Sequence, residues 1–222
     1  MSGWMAGTKR AVAGRVSSIF DPMMRPQQEH RRSQFAALGA EPGRIVFLGD
    51  SISEGGLWEE WFPTVEVLNR GIGGETSAQV LDRLDTAINE PRAVFLLIGT
   101  NDLTRGLTID VIERNVRSIL QCIRQRSPEC TVFVQSVMPR TAARKEELQE
   151  LNQRLLELCR AATPSTRFID LWPVLATSEG TLNPHFSEDN LHLNGDGYRA
   201  WVDLIRPLVL EPSNQPSAGF TH

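Results

Sequence analysis

The sequence predicts an α/β fold: a three-layer, doubly wound, flavodoxin-like parallel sheet of five strands, order 2-1-3-4-5, flanked by helices. Three observations predict it. Five short segments are apolar on consecutive positions, as strands buried on both faces of a parallel sheet are. Amphipathic helical segments fill the intervals, so each strand can return parallel to the last through a right-handed crossover. Small polar residues crowd the carboxyl ends of the strands, where such sheets hold ligands.

Taken in chain order, residues 1–27 have no clear period and read as an N-terminal arm or an extra helix. Residues 28–39, QEHRRSQFAALG, predict a short helix stopped by Gly39, and Glu41-Pro42-Gly43 turns the chain into the first strand, Arg44–Leu48. VFLGDSISEGG then runs from that strand into polar residues, where Ser51 and Glu54 have the S-x-x-E spacing of a capping box. The second strand, Val65–Asn69, leads through Gly71-Ile72-Gly73-Gly74-Glu75-Thr76 into a helix from Thr76 to Asn89. That helix carries Val80, Leu81, Leu84 and Ile88 on one side, with Thr76 and Gln79 as a second capping box.

The third strand, Ala93–Ile98, is followed by Gly99-Thr100-Asn101-Asp102. A helix from Thr108 to Gln125 then presents Ile109, Ile112, Val116, Ile119 and Ile123 at steps of three and four. The fourth strand is Thr131–Gln135, and the helix after it, Ala143 to Ala161, aligns Leu148, Leu151, Leu155 and Leu158. Beyond the fifth strand, Arg167–Leu171, a long loop carries Asp189-Asn190-Leu191-His192 to a last helix, Gly195–Leu210. Residues 28–210 thus form one domain, and 211–222, rich in Pro, Ser and Gly, read as a disordered tail.

Composition narrows the partners. Net charge is −4 with no block of Lys or Arg, which argues against nucleic acid or an anionic membrane surface. The N-terminus lacks a continuous apolar segment of the secretory kind, and no apolar run reaches the ~20 residues that span a bilayer. A cytoplasmic protein without stable membrane insertion is expected. Cys122, Cys130 and Cys159 are odd in number and irregular in spacing, so they read as idle thiols rather than a disulfide or zinc set.

In the 2-1-3-4-5 order the topological switch lies between the first and third strands, so chemistry should gather just after Leu48 and Ile98. It does. Ser51 is a candidate nucleophile, which needs a base to take its proton, and His192 is the natural one. Asp189, three residues before it, can hold the imidazole Nδ1–H and fix the tautomer. A tetrahedral oxyanion needs aimed donors. Candidates are the backbone N–H groups of Gly74 and Ser51 and the Asn101 side chain.

Each residue has a plainer reading alone. Ser51 can cap a helix, the glycines can make a tight turn, Asn101 and Asp102 an Asx-turn, and His192 can be a packed histidine with Asp189 as turn former. The glycine cluster fails as a dinucleotide loop, because Thr76 stands where G-x-G-x-x-G needs its third glycine. Four such loops on one predicted edge, in an order that completes one reaction, favour an active site.

These four blocks resemble the SGNH, or GDSL-like, serine hydrolases: GDS at Gly49–Ser51, glycines at Gly71–Thr76, G-x-N-D at Gly99–Asp102, and D-x-x-H at Asp189–His192. The phrases LNRGIGGETSAQVLDRL and DNLHLNGDGY look nearest to the branch of platelet-activating-factor acetylhydrolase catalytic subunits and related carbohydrate acetylesterases. The first block reads GDSIS where the family has GDSL, which retains an apolar neighbour for the serine. The resemblance spans about Arg44 to Trp201. It implies a carboxylic ester hydrolase with catalytic Ser51, Asp189 and His192 and an oxyanion hole of Ser51, Gly74 and Asn101. It also implies a small acyl pocket near Ile52, Thr100 and Leu191, an acetyl-type ester substrate, no metal or organic cofactor, and a homodimer as a natural assembly.

Alternatives remain open at this stage. A broader lysophospholipase or thioesterase would use Trp58, Trp61 and the loop from Val137 to Ala142, with Arg105 and Arg140 meeting an anionic group. A metal-dependent phosphohydrolase would draw on Asp50, Asp102, Asp189 and His192. A non-catalytic binding module would need none of them. His185 is a weaker rival base, lacking a carboxylate at the matching spacing.

Overall fold

Five strands form one parallel sheet in the computed structural model, which describes residues 23–212. They are β1 (Ile45–Gly49), β2 (Val67–Gly71), β3 (Ala93–Leu97), β4 (Thr131–Gln135) and β5 (Thr166–Ile169), in the order β2-β1-β3-β4-β5. Every residue of β1 and β3 is buried, as expected of central strands covered on both faces. The register aligns Gly49 with Gly71 on one side and with Leu97 on the other. The loops after β1, β2 and β3 therefore leave the sheet at one level, side by side.

Helices cover both faces. Residues 23–38 form α1, and α2 (Ser51–Glu54) and α3 (Trp58–Trp61) follow β1. Then come α4 (Ser77–Asp82), α5 (Leu84–Ala87), α6 (Thr100–Thr104), α7 (Ile109–Arg126), α8 (Lys145–Ala161), α9 (Trp172–Leu175) and α10 (Gly195–Leu210). The period-two alternation of the strands divides the core. Val46, Leu48, Val94, Leu96, Val132 and Val134 meet Val80, Ile112, Val116, Leu151 and Leu155 on one face. Ile45, Phe47, Phe95 and Phe133 meet Trp58, Trp201 and Ile205 on the other. There Phe47 stacks on Trp58 with ring centroids 3.8 Å apart, and Phe95 and Phe133 continue the aromatic layer.

Several boundaries move. The helix expected from Thr76 to Asn89 is two pieces that meet at Arg83. The Arg83 side chain turns inward at this break, with Nε 2.6 Å from Glu75 and Nη2 on the carbonyls of Gly49 and Arg70. β2 begins at Val67 because Val65 closes a turn onto the Phe62 carbonyl. β5 stops at Ile169, and Asp170 accepts from the Trp172 N–H to start α9. α1 is already helical at residue 23, the first described residue, ahead of the expected residue 28. The expectations for residues 1–22 and 213–222 fall outside the described residues.

Candidate active site

The first site loop is set by Asp50, which leaves β1 in an extended conformation and accepts the Ile52 N–H on Oδ1 at 3.0 Å. Asp50 is therefore the N-cap of α2, and the capping box expected at Ser51 and Glu54 does not form. The cap sits one residue earlier, and the spacing of small polar residues could not distinguish the two registers. Ser51, freed from capping, lies at the first helical position with Oγ 2.9 Å from His192 Nε2. Glu54 accepts from the Gly73 N–H at 2.7 Å and forms an ion pair with Arg31 at 2.9 Å.

His192 and Asp189 come from the loop before α10. Asp189 Oδ1 accepts the backbone N–H groups of Leu191 and His192 at 2.9 and 2.8 Å, which folds the loop around the carboxylate. Asn190 takes a left-handed φ of 59° within that turn. Asp189 Oδ2 then lies 2.7 Å from His192 Nδ1. Partial burial pushes the Asp189 carboxyl up, but the His192 ring and these N–H donors outweigh it and hold it well below the usual carboxylate range. The imidazole is thus bracketed by a carboxylate on Nδ1 and a hydroxyl on Nε2.

The glycine block follows β2. A Cβ on Gly71 would lie 2.1 Å from the Glu54 nitrogen, so glycine here lets α2 pack directly on the end of the strand. Gly74 adopts φ +74°. Among the described residues no acceptor is within hydrogen-bond range of the Gly74 N–H. Asn101, in the first turn of α6, donates from Nδ2 to the Glu75 carbonyl at 2.9 Å and sits 3.4 Å from Asp50 Oδ2. The two carboxyls beneath are buried. Burial pushes Asp50 up to about 7, with the Ile52 N–H opposing and Asp102 and Glu75 reinforcing the rise. Burial also raises Asp102, against the hydroxyl and N–H of Ser77.

The remaining sequence candidates separate. Ile52 and Thr100 are only 2% and 4% exposed, whereas Leu191 is half-buried. Trp58 is a core residue, and Trp61 lies half-buried beside the Arg199 guanidinium. Arg105 donates to the Gly74 carbonyl at 2.9 Å, and Arg140 to Thr104 at 2.9 Å, so neither is a merely solvated cation. His185 does find a carboxylate, Asp196 at 3.2 Å, from the start of α10 rather than from its own loop. Among the described residues no three His, Cys, Asp or Glu side chains are grouped to hold a metal ion. No helix among them is long and apolar enough to cross a membrane.

Sequence reasoning did not find the contribution of α1. Gln28 donates to the Gly73 carbonyl at 2.8 Å, Arg31 to the Gly71 carbonyl at 2.8 Å, and Arg32 pairs with buried Glu75 at 2.8 Å. Phe35 is buried against the guanidiniums of Arg31 and Arg70. The sequence signal was faint: polar residues at helical spacing around one phenylalanine, with nothing to show which surface they meet.

Comparison with known proteins shows the family and the fold. A model of the GDSL-like Lipase/Acylhydrolase family matches residues 47–200. A platelet-activating factor acetylhydrolase IB subunit alpha1 from Bos taurus is 33% identical over 203 residues, covering 85% of this chain and 86% of that one. Among solved structures, a Streptococcus pneumonia protein carrying a platelet-activating-factor name is 25% identical with a TM-score of 0.81, covering 87% of this chain and 98% of that one. A GDSL-like lipase from Bacteroides thetaiotaomicron is 25% identical with a TM-score of 0.69, covering 83% and 98%. The chain belongs to the GDSL-like lipase/acylhydrolase family, and its five-stranded 2-1-3-4-5 sheet is the fold of that family.

Proposed function

We propose that this GDSL-like acylhydrolase is a serine esterase that removes short, acetyl-type acyl groups through Ser51, His192 and Asp189. The observation that carries the proposal is the continuous chain of 2.9 Å from Ser51 Oγ to His192 Nε2 and 2.7 Å from His192 Nδ1 to Asp189. A carboxylate on Nδ1 keeps the ring proton there and leaves the Nε2 lone pair for the serine proton. Ser51 Oγ attacks the ester carbonyl while His192 takes that proton, and the alcohol departs with it as the C–O bond breaks. Water repeats the sequence on the acyl-enzyme, with His192 again as base.

The oxyanion is held by the N–H groups of Ser51 and Gly74 and by the Asn101 amide. The short bond to Glu75 fixes the plane of that amide and occupies one of its hydrogens, and the other, only weakly held by Asp50 at 3.4 Å, is the one left for the oxyanion. On this reading Leu191, which is half-buried, meets the acyl group, and the nearly buried Ile52 and Thr100 flank it, so a small acyl group suits the site. The acetylhydrolase name of the Bos taurus relative supports that size. Ser51→Ala is the test: turnover of p-nitrophenyl acetate at the background rate is expected, and retention of the unmutated rate would overturn the proposal.

A further inference from the structure

We infer that Gln28, on α1, is a positioning residue that aims the Gly74 N–H at the oxyanion. The inference rests on the esterase reading above and extends it to a helix outside the four sequence blocks. A peptide unit is planar, so the Gly73 carbonyl and the Gly74 N–H are opposite ends of one rigid plane. Gln28 Nε2 donates to that carbonyl at 2.8 Å from a side chain only 6% exposed. Holding one end of the plane fixes the direction of the other.

The plane needs holding. It joins two glycines, which can rotate about the flanking bonds with little steric resistance, and Gly74 already sits at φ +74°. A rotated plane would present a carbonyl dipole to the developing oxyanion in place of a donor. The neighbouring planes are pinned from other elements: Glu54 accepts the Gly73 N–H and Arg105 donates to the Gly74 carbonyl. Gln28 supplies the hold on the plane between them. The closeness of Gly73 to Ser51, whose Cβ lies 3.7 Å from a Cβ built on Gly73, puts this plane beside the nucleophile, and the Gly74 N–H has no acceptor among the described residues. Donation into the carbonyl also polarises the same peptide and strengthens its N–H as a donor. Met24, one helical turn earlier, packs over the same two glycines.

The test compares Gln28→Met, which keeps length and packing but removes the donor, with the unmutated protein and Ser51→Ala. The readouts are kcat and KM for p-nitrophenyl acetate and the inhibition constant of methylboronic acid, which forms a tetrahedral anion on an activated serine. Gln28→Met should lower kcat by about tenfold or more, short of the roughly 100- to 1,000-fold cost of deleting a donor itself. KM should stay within about twofold, and boronate inhibition should weaken in parallel with kcat, because both depend on oxyanion binding. A merely structural role would lower the melting temperature without this parallel. Should Gln28→Met not fold, Gln28→Leu, which also lacks a donor, carries the same expectation. Inactive Ser51→Ala together with unchanged kcat in the Gln28 variants would overturn this inference alone. Full activity in Ser51→Ala would overturn the esterase reading and this inference with it.

Discussion

Replacing Asp189 by Asn changes one atom in the chain that prepares Ser51. Asn retains an oxygen for the Leu191 and His192 N–H groups at 2.9 and 2.8 Å, so the loop turn should survive. Its amide nitrogen, however, would stand where Oδ2 now lies 2.7 Å from His192 Nδ1. Two donors would face each other, and the ring relieves this by moving its proton to Nε2, where it can no longer accept from Ser51. The lost charge-assisted bond is worth about 1.5–3 kcal/mol and the misplaced donor about 1–3 kcal/mol more. Both side chains are roughly half exposed, at 49% and 52%, so water screens part of each and the lower half of that sum applies. About 3–4 kcal/mol corresponds to a loss of roughly 100- to 1,000-fold in kcat. The assay is kcat for p-nitrophenyl acetate at pH 8, beside a thermal melt that should stay near that of the unmutated protein. A kcat within about threefold of the unmutated protein would refute the role of Asp189.

Asn101→Ala should cost about 3–4 kcal/mol of transition-state stabilisation, read as a fall in kcat with little change in folding, whereas a change confined to KM would remove Asn101 from the oxyanion site. Asp50 should make stability pH-dependent. Burial keeps it protonated up to about 7, above the ordinary 3.8, so between those values the folded chain binds a proton that the unfolded chain releases. Stability therefore falls as pH rises through that window, by about 1.4 kcal/mol per unit from this group. Asp50→Asn keeps an acceptor for the Ile52 N–H and should flatten the slope in urea unfolding at pH 5, 6 and 7. Parallel slopes for the two proteins would contradict the assignment.

What the sequence made legible were features written in local periods. Consecutive apolar runs located all five strands, and the final helix was read at Gly195–Leu210 as found, because Trp201, Val202 and Ile205 recur on one face. Topology followed from alternation, and the switch point then singled out the loops after the first and third strands, which hold Ser51 and Asn101. What stayed illegible depends on contacts between distant segments. Arg83 ends a helix whose apolar period continues past it, since its side chain is drawn to Glu75 and to carbonyls at the strand ends. Glu54 has the spacing of a local cap, yet a glycine loop nineteen residues on takes its carboxylate. α1 looked optional because Gln28, Arg31 and Arg32 declare their partners only when the helix lies across the glycine block.

The central claim is that Ser51 carries the acyl group. Rapid acid quenching of the protein during turnover of p-nitrophenyl acetate, followed by peptide mass spectrometry, reads this directly. The account predicts an added acetyl group on the peptide containing Ser51, at Ser51 itself, in amounts approaching one per chain in Asp189→Asn if deacylation slows more than acylation. Acetyl found on another residue, with none on Ser51, would contradict it.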